Sequence, residues 1–252
     1  MQTSHRHLLV SIAQLGDAAN SRPLLGQKGF CLMSTIDLVH RVQIPPEASP
    51  ARPAPVVVMV HGWKGDENVM WIFKQTVPRG VAIITPRAPL AVDDGGYGWF
   101  QRAASELEPE PDSLWAGRDH LHRFLAHLPQ RYPVDAARMV LMGFSQGAAI
   151  SNTLVLTQPG LVIGVASLAG FVPDLATEAA KDGSLDGFPV FIAHGTRDDT
   201  VPLAAARQAR EVYTRLGAQV TYGEYPTGHK LNTQGMKDLK AWLTNIIGLK
   251  NP

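Results

Sequence analysis

Gly143-Phe144-Ser145-Gln146-Gly147 follows the apolar run 139–142 and leads into the helical pattern of Ala148, Ala149, Ile150 and Leu154. A strand, a sharp turn and a helix in that order expose a serine hydroxyl at the tip of the turn, as a nucleophile elbow requires. The glycines suit that turn, because side chains at the flanking positions would collide with the neighbouring helix and strand. A hydroxyl is a weak nucleophile until a base removes its proton, so a histidine oriented by a carboxylate is expected downstream. The chain offers His194-Gly195-Thr196-Arg197-Asp198-Asp199 after the run 190–193, and Gly228-His229 after Tyr225. Nucleophile, acid and base then occur in the order such an elbow uses. The chemistry such a set would perform is acyl transfer through an acyl-serine intermediate.

His61-Gly62-Trp63-Lys64-Gly65 follows the run 56–60. A loop at that place supplies a backbone N–H to the developing oxyanion, paired with the N–H after the nucleophile. The expected donors are Trp63 and Gln146. His61 and His194 each end an apolar strand outside the base position, and their imidazoles are expected to tie down adjacent loops. The stretch 87–111 carries Gly95, Gly96 and Gly98 around Tyr97, Trp99 and Phe100. Its length and aromatics suit a loop near a site, with Trp99 and Phe100 as the expected substrate wall.

These residues need a scaffold, and the hydrophobic pattern indicates one. Short, almost purely apolar runs at 56–60, 81–85, 139–142, 162–168 and 190–193 suit strands covered on both faces, as in a parallel sheet. Helical patterns lie between them: Leu114, Leu121, Phe124 and Leu128, then Ala148 to Leu154, then Leu203, Val212 and Leu216. Strand and helix alternate, which predicts a doubly wound α/β architecture with a mostly parallel sheet. Alternation over 36–44 predicts an edge strand, and the prolines 45, 46, 50, 53 and 55 a connecting loop. The last strand is expected at 220–225. A closing amphipathic helix then carries Met236, Leu239, Leu243 and Ile246, with Gly248 placed to end it.

A chain of 252 residues fits one large α/β domain, 1–252, with 1–30 as an extension packed on the sheet edge. Lys and Arg number 23 against 22 Asp and Glu, so no long-range field favours nucleic acid or an anionic membrane. The single cysteine, Cys31, excludes an internal disulfide and any multi-cysteine metal site, and reads as an inert buried thiol. The apolar run 8–13 makes a poor secretory signal, and no run is long enough to span a membrane. A cytoplasmic protein is expected, without stable membrane insertion; a homodimer is compatible with the sequence.

The set His61-Gly62-Trp63, Trp99-Phe100, Gly143-Phe144-Ser145-Gln146-Gly147, His194-Gly195-x-x-Asp198-x-x-Val201-Pro202 and Gly228-His229 resembles the phospholipase/carboxylesterase family, which includes the acyl-protein thioesterases. The resemblance extends over about residues 30–248. It implies an α/β-hydrolase fold without a large lid domain, a triad of Ser145, Asp198 and His229, and oxyanion N–H groups on Trp63 and Gln146. It favours Asp198 over Asp199 as the acid, leaving Asp199 beside the N-terminus of the helix that Pro202 begins. Neither metal nor organic cofactor is implied, and the partner is a small-molecule ester or thioester. Ala148 and Gln101 depart from the family's usual glycine and acidic residue, which bears on the substrate. The expected activity is hydrolysis of short to medium acyl esters. The alternatives are acyl-protein thioesterase or lysophospholipase activity, and a non-catalytic ligand-binding relative.

Overall fold

The computed structural model describes residues 8–9, 38–93, 95–102 and 107–248. Cys31 and the start of the expected edge strand, residues 36–37, lie outside them. Among the described residues the strands are β1 (Leu8–Leu9), β2 (His40–Gln43), β3 (Ala54–Val60), β4 (Ala82–Pro86), β5 (Leu90–Ala91), β6 (Tyr97–Gly98), β7 (Val134–Phe144), β8 (Gly164–Leu168), β9 (Pro189–Gly195) and β10 (Gln219–Tyr225). The helices are α1 (Pro111–Arg131), α2 (Gln146–Thr157), α3 (Asp174–Ala179), α4 (Leu203–Arg215) and α5 (Thr233–Ile247), with a 3-10 helix at Val69–Thr76.

Eight strands form one sheet in the order β1-β2-β4-β3-β7-β8-β9-β10. From β4 to β10 it is parallel; β2 and β1 add antiparallel pairings at one edge. β5 and β6 make a separate antiparallel hairpin. Along β3, Val56, Val58 and Val60 belong to the apolar cluster that holds Leu121 of α1, Ile150 of α2 and Ala206 of α4. Val57 and Met59 belong to the other, with Phe73 of the 3-10 helix and Leu239 and Leu243 of α5. Successive side chains thus alternate between two buried faces rather than between core and water, and this is why the strands read as unbroken apolar runs.

Local signals fix the helix ends. The Glu110 side chain accepts the Ser113 N–H at 3.1 Å at the start of α1, where Pro111 occupies the first turn. Asn232 caps α5 by accepting the Gly235 N–H at 2.9 Å, and Gly248, at φ +70°, ends it. Pro55, expected in a loop, lies within β3 where the register with β7 shifts, a place that tolerates a residue with no N–H to donate. The 3-10 helix has no counterpart in the sequence reading. Its buried residues, Met70, Phe73 and Thr76, recur every third position, a period that a search at 3.6 or 2 passes over.

Candidate active site

Ser145 stands between the C-terminal end of β7 and the first turn of α2, with φ 54° and ψ −119°. A non-glycine residue persists at positive φ only where its surroundings hold it. Here the Ser145 N–H donates to the Leu168 carbonyl at 2.9 Å, and its own carbonyl accepts from Ala148 and Ala149 at 2.9 and 3.1 Å. The flanking glycines are needed for close approach. A Cβ on Gly143 would lie 2.2 Å from the Gly147 carbonyl oxygen, and one on Gly147 would lie 2.1 Å from that of Val60.

Asp198 and His229 come from the loops after β9 and β10. These loops are laced together: Thr196 N–H donates to the Tyr225 carbonyl at 2.8 Å and Arg197 N–H to that of Thr227 at 3.0 Å. The Asp198 side chain is wholly buried. Its Oδ1 accepts the N–H groups of Thr200 and Val201, each at 2.9 Å, and its Oδ2 accepts His229 Nδ1–H at 2.8 Å. That leaves Nε2 of His229 to act as acceptor. The His229 ring packs on Phe144, the residue before Ser145, with centroids 4.9 Å apart. Among the described residues no hydrogen bond joins the Ser145 hydroxyl to His229; such bonds are often long in free enzymes and close with substrate.

Asp199 does not take the helix-end position expected of it. It is exposed, with a 3.5 Å contact from the Thr200 hydroxyl, because the two N–H groups at the turn are already held by Asp198. The two other strand-end histidines tie loops. His61 Nε2 accepts the Ala88 N–H at 2.9 Å while its Nδ1–H donates to the Gly62 carbonyl at 2.7 Å. His194 Nε2–H donates to the Val201 carbonyl at 2.8 Å. Burial lowers the pKa of both imidazoles from the ordinary histidine value.

The N–H groups of Trp63 and Gln146 donate to no acceptor among the described residues. Gln146 opens α2, so its amide is one of the unpaired N–H groups at a helix start. Trp63 follows Gly62, where an added Cβ would lie 3.2 Å from Ser145 Cβ. Gln146 also works through its side chain, accepting the Trp99 N–H at 2.9 Å and donating to the Phe100 carbonyl at 2.8 Å.

A model of the phospholipase/carboxylesterase family matches residues 44–247. The chain belongs to this family. It is a carboxylic ester hydrolase on that ground. Acyl-protein thioesterase 1 of Debaryomyces hansenii is similar to it, with 27% identity over 231 residues that cover 83% of this chain and 98% of that protein. The solved carboxylesterase of Bacillus cereus aligns with a TM-score of 0.74 and 23% identity, over 84% of this chain and 96% of that one. Acyl-protein thioesterase 2 of Zea mays aligns with a TM-score of 0.64 and 21% identity, over 83% and 99%. The solved structures thus share the α/β-hydrolase fold with this chain.

An apolar cavity beside His229 lies away from the wall that the sequence suggested. About 350 Å³ in volume, it is lined by Trp63, Met70, Phe73, Phe144, His229 and Leu231 among others, so its wall is the unforeseen 3-10 helix. Trp99 and Phe100 were the expected wall. They are instead buried, at 0% and 1% exposure, and Trp99 Nε1–H donates to the His61 carbonyl at 2.9 Å. Trp99→Ala is therefore expected to destabilise the fold by about 3–5 kcal/mol, as for large aromatic truncations in a core. Denaturant unfolding checks this; a change confined to acyl-chain preference at unchanged stability would contradict it.

Among the described residues no helix is long and apolar enough to cross a membrane, and no group of three His, Cys, Asp or Glu could hold a metal ion.

Proposed function

We propose that this esterase is a serine carboxylesterase for short to medium acyl esters, with Ser145 as nucleophile, His229 as base and Asp198 as the orienting carboxylate. The observation that carries the reading is the 2.8 Å contact from His229 Nδ1 to the fully buried Asp198 carboxylate, beside a serine held at positive φ on a strand-to-helix turn. In this mechanism His229 Nε2 takes the Ser145 proton as the hydroxyl oxygen attacks the ester carbonyl. The N–H groups of Trp63 and Gln146 receive the oxyanion. Collapse breaks the acyl–oxygen bond, and His229 returns the proton to the leaving alcohol. Water then repeats the sequence on the acyl-enzyme, releasing acid and free Ser145.

A cavity of about 350 Å³ lies near the small end of ligand pockets, which favours a short to medium acyl chain. The test is a panel of p-nitrophenyl esters from acetate to palmitate, with acyl thioesters and a lysophospholipid beside them. The expected profile peaks at four to eight carbons (about that range, from the cavity's size) and shows no jump when a long-chain substrate forms an interface. A maximum at palmitate, or interfacial activation, would contradict it. The Debaryomyces relative favours a second reading, an acyl-protein thioesterase, which predicts thioester turnover above that of the matched ester.

A further inference from the structure

The loop 61–67 has to hold the Trp63 amide in place without the regular hydrogen bonds of a strand or helix. Residues 85–93 and 95–98, from the end of β4 to β6, grip it at successive points. Ala88 N–H reaches His61 Nε2 at 2.9 Å. Tyr97 N–H donates to the Gly65 carbonyl at 3.0 Å, and two glycines let the hairpin lie against the loop. A Cβ on Gly96 would lie 2.1 Å from the Lys64 carbonyl oxygen, and one on Gly98 would lie 2.4 Å from the Trp63 ring. Beyond these contacts sits an ion pair that the proposed mechanism does not use. Arg87 Nε and Nη2 donate to Glu67 Oε2 and Oε1 at 2.7 and 2.8 Å. The same guanidinium donates through Nη1 to the Tyr97 hydroxyl at 3.1 Å and lies 4.5 Å from the Tyr97 ring centroid.

Arg87 therefore joins the end of the loop, at Glu67, to the hairpin residue whose backbone holds Gly65. The Glu67 side chain is 8% exposed and that of Arg87 27%, so the pair is partly shielded from water. A two-bond fork of this kind fixes direction as well as distance. The Thr85 hydroxyl donates to the Glu67 carbonyl at 2.6 Å and accepts Trp71 Nε1–H at 3.0 Å, which extends the same brace to the 3-10 helix of the cavity wall.

We infer that Glu67 and Arg87 are positioning residues that set the Trp63 N–H for the oxyanion, acting through Tyr97 and Gly65. The inference rests on the proposed role of the Trp63 amide. A donor moved by a fraction of an ångström still permits ground-state binding and loses its worth in the transition state.

The test compares wild type, Glu67→Gln, Arg87→Lys and Tyr97→Phe on p-nitrophenyl butyrate. It also uses a trifluoromethyl ketone of the same acyl length, whose serine adduct carries an oxyanion. Glu67→Gln is expected to lower kcat by about 10- to 100-fold with KM within about twofold, and to weaken the ketone by the same factor as kcat. Arg87→Lys keeps the cation and loses the fork, and is expected to fall between it and wild type; Tyr97→Phe, lacking just the hydroxyl, loses least. Circular dichroism establishes folding, and the last two variants decide the matter if Glu67→Gln does not fold. Unchanged kcat, a rise in KM alone, or full ketone affinity in the folded variants would overturn the inference. Failure of the wild type to bind the ketone would instead overturn the esterase reading beneath it.

Discussion

Ser145→Ala is expected to lower kcat by about five to six orders of magnitude, roughly 7–8 kcal/mol of barrier, because it removes the atom that forms the acyl bond. The fold is expected to survive. The elbow is held by backbone hydrogen bonds to Leu168, Ala148 and Ala149, none of which uses the hydroxyl. Alanine also carries the same Cβ at φ 54°, so the local strain is unchanged. Steady-state kinetics on the purified variant, with thermal unfolding alongside, checks both halves. Activity within about a hundredfold of wild type would leave the nucleophile unassigned.

The second large effect distinguishes adjacent carboxylates. Asp198→Asn is expected to reduce kcat by about 10⁴-fold. Oδ1 of Asp198 faces two backbone N–H groups, so an asparagine there must turn its carbonyl oxygen to Thr200 and Val201 and its amide nitrogen to His229. The imidazole can meet that nitrogen only as an acceptor at Nδ1, which moves the ring proton to Nε2 and leaves nothing to take the Ser145 proton. Asp199 is exposed and makes no hydrogen bond or ion pair with His229 among the described residues, so Asp199→Asn is expected to stay within about tenfold, near 1.4 kcal/mol of barrier. Parallel kinetics on the two variants measures the difference; the reverse ranking would move the acid role to Asp199.

Much of the scaffold was legible because parallel strands advertise themselves. Runs such as 56–60 and 190–193 have no polar residue to alternate with, since helices cover both faces of β3 and β9. The elbow was legible for a steric reason, confirmed by the short approaches at Gly143 and Gly147. The cavity was not. Its wall, Val69–Thr76, is too short and has the wrong period for a helix search. Trp99 and Phe100 misled because an aromatic pair in an irregular stretch suits a pocket wall and a buried anchor equally well. What decides between them is the Gln146 side chain, 47 residues from Trp99 in sequence, and no local pattern reports a contact at that separation. Asp199 misled similarly: Pro202 does stand at the start of α4, but the N–H groups of the preceding turn, Thr200 and Val201, donate to Asp198.

The most direct test of the account is covalent. The protein is treated with a fluorophosphonate, digested, and the adduct located by peptide mass spectrometry in wild type, Ser145→Ala and Asp198→Asn. One phosphonylated residue, Ser145, is expected, with no labelling of the alanine variant and much slower labelling of the asparagine variant. An adduct on another residue, or equal labelling of Ser145→Ala, would contradict it.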